Sequence, residues 1–88
     1  MSYRVEFKAA ARREIKKLSS QAQKIIIAKA ESLAQNPLPS GVKKLEDSPL
    51  GADLFRVKAG DYRIVYQIQQ NILVVLIVKI GNRRDVYK

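Results

Sequence analysis

The sequence predicts an α+β fold: a small, twisted, antiparallel-rich sheet with an N-terminal αα-hairpin packed on one face, in the order β-α-α-β-β-β. Three observations carry this. Residues 54–87 (LFRVKAGDYRIVYQIQQNILVVLIVKIGNRRDVY) alternate apolar and polar side chains and turn twice, as paired strands do. Residues 9–33 switch to helical spacing. A short alternating segment, Tyr3-Arg4-Val5-Glu6-Phe7, precedes both.

That first segment predicts a strand at an edge of the sheet or added to its central strand. From Ala9, apolar residues recur at Ala11, Ile15 and Leu18, with Arg12, Arg13, Lys16 and Lys17 opposite, which makes a basic amphipathic helix. Ser20-Gln21-Ala22-Gln23 fits a capping box that opens a second helix, whose apolar face is Ala22, Ile26, Ala30 and Leu33 with Ile25 beside it. Asn36-Pro37 stops that helix. Lys16, Lys17, Lys24 and Lys29 read as solvent-facing charge. Residues 37–53 read as loops passing through Val42-Lys43-Lys44-Leu45.

In LFRVK, Phe55 and Val57 take one face, while Leu54, Arg56 and Lys58 take the other. Ala59-Gly60-Asp61 closes a hairpin. In the next strand Tyr62, Ile64, Tyr66 and Ile68 alternate against Arg63, Val65 and Gln67, so Arg63 and the two tyrosines face opposite ways. Gln70-Asn71 supplies a turn before NILVVLIVKI. That run is apolar at nearly every position, as in a strand buried on both faces, and is expected at the centre of the sheet.

Eighty-eight residues, 1–88, make a single domain. Seventeen basic side chains against eight acidic ones give a net charge of +9. Residues 1–36 hold eight basic and three acidic (+5), residues 37–53 two and three (−1), and residues 54–88 seven and two (+5). This surplus on so small a surface suits phosphate polyanions or a strongly acidic protein partner. Cysteine and histidine are both absent. That excludes disulfides, thiol nucleophiles, zinc sites with Cys or His ligands, and the usual neutral-pH general base. No metal or other cofactor is expected. With no membrane-length apolar run and no signal-like N-terminus, a cytoplasmic protein without membrane contact is expected.

RNA carries its own nucleophile, the 2′-hydroxyl. An enzyme that cuts it needs an acceptor for the 2′ proton, cations for the charge growing on the phosphate, and a proton donor for the leaving 5′ oxygen. Arginine suits the second task, because its planar fork binds phosphate oxygens in pairs and stays charged. Set among arginines, Lys58 is a candidate acid or base. Tyr87 is a candidate for bonding the 2′ oxygen or stacking on a base. Simple phosphate binding without catalysis is the alternative for the same residues.

LFRVKAGDYRIVYQI, the apolar strand and the closing KIGNRRDVY, behind an αα-hairpin and Lys43-Lys44-Leu45, together resemble toxins of the RelE/ParE superfamily, on the RelE side, over essentially the whole chain. The resemblance implies a small sheet with two helices on it and a toxin held inactive by a cognate antitoxin, acidic and from the same operon. It also implies ribosome-dependent cleavage of mRNA in the A site. Arg56 and Lys58 match the family's two basic strand positions, base and phosphate ligand. Arg63 matches the residue that stabilises the transition state, Arg83 the one that assists the leaving group, and Tyr87 the tyrosine that orients the 2′-hydroxyl or stacks on a base. Lys43, Lys44, Lys79 and Arg84 are expected to contact RNA or ribosome. Operator DNA is expected to be met only through the antitoxin. Relatives often carry histidine where this chain has Asn82, and arginine at position 56 moves the base role toward Lys58 or Tyr87. With the chain ending at Lys88, no long C-terminal helix is expected. Two other readings stand beside this one: a ParE-like inhibitor of DNA gyrase without nuclease activity, and a catalytically weak basic RNA-binding paralogue.

Overall fold

A computed structural model describes residues 2–45 and 53–82. Its elements run β1 (Arg4–Phe7), α1 (Ala9–Lys16), α2 (Ser20–Ser32), β2 (Lys43–Lys44), β3 (Leu54–Ala59), β4 (Tyr62–Gln69) and β5 (Val74–Asn82). The strands form one sheet in the order β1-β5-β4-β3-β2. All neighbours are antiparallel except β1, which lies parallel to β5 and forms an edge. The expected α+β architecture is therefore present, with one strand more than expected: Lys43–Lys44 pairs with Arg56 and Phe55 and makes the opposite edge. Two residues are too few to show a period, so this strand exists by virtue of β3 beside it.

The apolar run is not the central strand, as was expected of it. β4 is central, and β5 lies between it and β1. The strand also starts later than the run does. A four-residue loop, 70–73, ends at Leu73 with φ of 55°, and the Leu73 carbonyl accepts from the Arg4 N–H at 2.8 Å. This left-handed residue turns the chain toward β1 and leaves Ile72 63% exposed. At the other hairpin, Gly60 has φ of 62° at the first of two turn positions, where a type II′ hairpin takes glycine.

The helices cover one face of the sheet. Ala11 and Ile15 of α1, and Ile26, Ala30 and Leu33 on and just after α2, pack on Val57, Ala59, Ile64, Tyr66, Val75, Ile77 and Ile80. The cap of α2 lies one residue earlier than expected: the Ser19 hydroxyl, not Ser20, accepts from the Ala22 N–H at 3.2 Å. Gln23 Nε2 donates to the Leu18 carbonyl at 3.0 Å and ties the two helices at the same corner. α2 ends at Ser32, with i→i−3 bonds from Leu33 and Ala34, before Asn36-Pro37 is reached. Tyr66 fixes the chain that follows. Its fully buried ring lies beside Phe55, centroids 5.9 Å apart, and its hydroxyl donates to the Pro37 carbonyl at 2.7 Å. That burial pushes the Tyr66 phenol up to about 12.

Beyond Phe7 the edge of β5 has no strand beside it, and α1 takes over. The Lys8 N–H donates to the Ile77 carbonyl at 2.9 Å, and the Glu14 carboxylate accepts from the Ile80 N–H at 3.0 Å. Between them β5 bulges: Val65 pairs with Lys79 and Tyr66 with Ile77, which leaves Val78 without a partner.

Candidate functional site: the open face of the sheet

Residues paired across strands stand on the same face, so the register sorts the charges. One row crosses the sheet as Lys43, Arg56, Val65 and Lys79, on β2, β3, β4 and β5. At about 4.8 Å per strand, that row spans about 14 Å. A second row, two residues along and about 7 Å away, holds Lys58, Arg63 and Gly81. The face turned away from the helices, open among the described residues, thus gathers Lys43, Arg56, Lys58, Arg63 and Lys79, and Lys58 stands directly opposite Arg63. Like charges in register destabilise a sheet, so the fold alone does not favour this pairing.

The five cations differ in setting. Lys43, Lys58 and Lys79 are exposed, whereas Arg56 and Arg63 are 7% and 6% exposed. The Arg63 Nη1 donates to its neighbour's carbonyl, Tyr62 O, at 3.3 Å, and its buried Nε has no hydrogen-bond partner. Among the described residues no carboxylate pairs with it. A buried guanidinium lacking a counter-charge is costly, and the cost is recovered when an anion with two acceptor oxygens arrives. Gly81 opposite has no side chain to crowd the approach. The β3–β4 hairpin is therefore a rigid bracket presenting two sunken guanidinium groups with an ammonium, Lys58, at the rim.

Lys44 does not join this group. Its register partner is Phe55, so it stands on the opposite face, where its Nζ lies 3.1 Å from Asp53 Oδ2. Strand alternation separates two adjacent lysines that look equivalent in the sequence. Arg83, Arg84 and Tyr87 lie outside the described residues. The described part of β5 runs to Asn82, whose partner is Tyr62. Glu14 is a site residue that periodicity does not mark, and its one signal in the sequence is that it is the sole carboxylate in α1, among arginines and a lysine. Its bond to the Ile80 N–H anchors the strand end that leads into the Arg83 segment. Among the described residues no cluster of side chains suits a metal ion, and no helix is long and apolar enough to cross a membrane.

Residues 5–87 match the family of ParE toxins of type II toxin–antitoxin systems, parDE. The chain is 32% identical over 89 residues to Toxin RelG of Mycobacterium tuberculosis, covering 100% of this chain and 99% of that one. Its structure is similar to RelE in the archaeal RelE–RelB complex of Pyrococcus horikoshii, with a TM-score of 0.82, 27% identity, and 97% and 99% of the two chains covered. It is also similar to a chain of the toxin–antitoxin complex RelBE2 of M. tuberculosis, with a TM-score of 0.80, 28% identity, and 94% and 100% covered. The isolated RelE toxin of Escherichia coli matches at a TM-score of 0.72 and 26% identity over 98% of this chain and 92% of that one.

Proposed function

The chain belongs to the RelE/ParE superfamily of type II toxin–antitoxin toxins, and we propose that it is a metal-independent endoribonuclease that cuts mRNA on the ribosome. The observation that carries this is Arg63: a cation 6% exposed, its Nε unpartnered, on an open sheet face beside Arg56 and Lys58. The scissile phosphate sits over this bracket, its non-bridging oxygens bound by the buried guanidinium groups. The 2′ oxygen gives its proton to the unprotonated amine of Lys58 or the phenolate of Tyr87 and bonds to phosphorus. The bond from phosphorus to the 5′ oxygen breaks, and that oxygen takes a proton from water while Arg83 offsets its negative charge. The products are a 2′,3′-cyclic phosphate and a 5′-hydroxyl. Lys43, Lys79 and Arg84 hold neighbouring backbone. Lys44 faces away from the bracket and contacts the ribosome rather than the strand being cut. A cognate antitoxin, acidic and from the same operon, silences the toxin by covering the cationic face, and operator DNA is met through that antitoxin. The likeness to RelE chains solved with RelB supports this partner.

Incubating the protein with ribosomes programmed with a defined message, then mapping RNA ends, tests this reading. Cuts within the A-site codon are expected, and Arg63→Ala should slow them by about 10²–10³-fold, the usual cost of removing a transition-state donor. An intact message, or unimpaired cutting by the variant, contradicts the proposal. The ParE description of the matching family favours one other reading, inhibition of DNA gyrase without nuclease activity. Loss of supercoiling with no cut message selects it.

A further inference from the structure

We propose that the groove between α1 and β5 is a second phosphate-binding site, which takes the backbone of the RNA substrate strand as it leaves the open face. This rests on the ribonuclease reading above. The groove is about 360 Å³, within the range of ligand-sized clefts. It is lined by Ala10, Arg13, Glu14, Lys17, Val78 and Lys79. Ala10, Arg13 and Glu14 of α1 and its C-cap Lys17 fall at i, i+3, i+4 and i+7, a stripe separate from the core-facing Ala11 and Ile15. The sequence alone reads Lys17 as solvent-facing charge and Arg13 as part of the basic side of α1. The fold instead sets them against the strand that carries Lys79.

Two features make this a binding surface. The first is the bulge at Val78, which breaks the register where α1 replaces β1 as the neighbour of β5, so that Lys79 lies both in the row with Arg56 and on the wall of the groove. The second is the placing of the charges. Glu14 spends a carboxylate oxygen on the Ile80 N–H, while Arg13, Lys17 and Lys79 have no ion pair among the described residues. Cationic positions therefore run from Lys43 and Arg56, past Val65, to Lys79 and on to Arg13 and Lys17. The chemistry favours RNA over a protein partner. The apolar side chains in the groove are an alanine and a valine, and protein interfaces anchor on larger buried aromatic and aliphatic groups. Such groups are exposed elsewhere, at Leu38 and Ile72.

The test uses the whole protein and RNA methylated at the 2′ oxygen, which binds without being cut. Wild type and the double variant Arg13→Gln, Lys17→Gln are titrated with a dinucleotide and with a single strand of about ten nucleotides, over a range of salt. Both variant positions are exposed, and equal thermal midpoints verify folding. The double variant should bind the dinucleotide unchanged. Its plot of log affinity against log salt for the longer strand should flatten by about 1.4, or about 0.7 per lost phosphate contact. An unchanged slope overturns the proposal, as does failure of wild type to bind the longer strand. If the slope is unchanged while affinity for vacant ribosomes or for an acidic antitoxin falls, the groove serves that partner and the proposal is again overturned. Arg63→Ala in the same titration keeps the two proposals apart: unimpaired dinucleotide binding by that variant sinks the sheet-face reading and leaves the slope to decide the groove.

Discussion

Arg63 and Ile64 are neighbours in β4 and are buried to nearly the same degree, 6% and 0% exposed, on opposite faces of one sheet. Under the helices, burial of Ile64 is a gain: apolar area leaves water and meets close-packed partners. On the open face, burial of Arg63 is a cost, because a charge leaves water and its Nε finds no acceptor. Equal burial thus has opposite meaning on the two faces. One holds the fold together, and the other keeps a cation poorly solvated until an anion replaces the water.

Substitutions can break this contrast. The largest effect is expected at Ile26, fully buried in α2. Ile26→Ala should lower unfolding free energy by about 2–5 kcal/mol in urea melts, while the folded fraction cuts message at the wild-type rate. A parallel loss of cutting and stability would show that the two faces are not independent.

Tyr66 sharpens the contrast through pH. Its phenol, raised to about 12 by burial, keeps its proton while the unfolded chain gives its own up near the ordinary value of about 10. The folded state therefore binds more protons in that window. Its stability is complete below about pH 10 and falls by about 2–3 kcal/mol as pH rises toward 12. Tyr66→Phe should lack this part of the alkaline decline, as thermal midpoints across that range would show. Identical curves would mean that the phenol is not the group responsible.

The smallest effect concerns Lys43 and Lys44. Lys43→Gln should lower the salt slope of RNA binding by about 0.7, as expected for one lost phosphate contact, and Lys44→Gln should leave it unchanged. Equal effects would contradict the register that places these two lysines on opposite faces.

Much of this was legible from periodicity. Alternation in residues 54–69 put Arg56, Lys58 and Arg63 on the face away from Val57, Ile64 and Tyr66, and β3 and β4 have that arrangement. Helical spacing found both helices and their buried stripes. Long-range features were not legible. The parallel pairing of β1 with β5, the two-residue β2, and the bond from Ile80 to Glu14, 66 residues apart, are set by what lies alongside each segment. An unbroken apolar run has no phase, so it could show neither where β5 begins nor which strand is central. Two adjacent serines, Ser19 and Ser20, suit the cap equally, and only backbone geometry chooses between them. Periodicity gives the face of an arginine, not its depth. The sinking of Arg56 and Arg63 into the open face, which turns a basic patch into a site, is a property of packing.

Comparing wild type with Arg63→Leu, by urea unfolding with and without uncleavable RNA, tests the central claim most directly. The variant should be at least as stable as wild type, because an apolar side chain of moderate size replaces a poorly compensated charge. RNA should stabilise wild type and leave the variant unmoved. A variant less stable by about 2 kcal/mol or more, the scale of a core truncation, yet still stabilised by RNA, would contradict it and make Arg63 part of the scaffold.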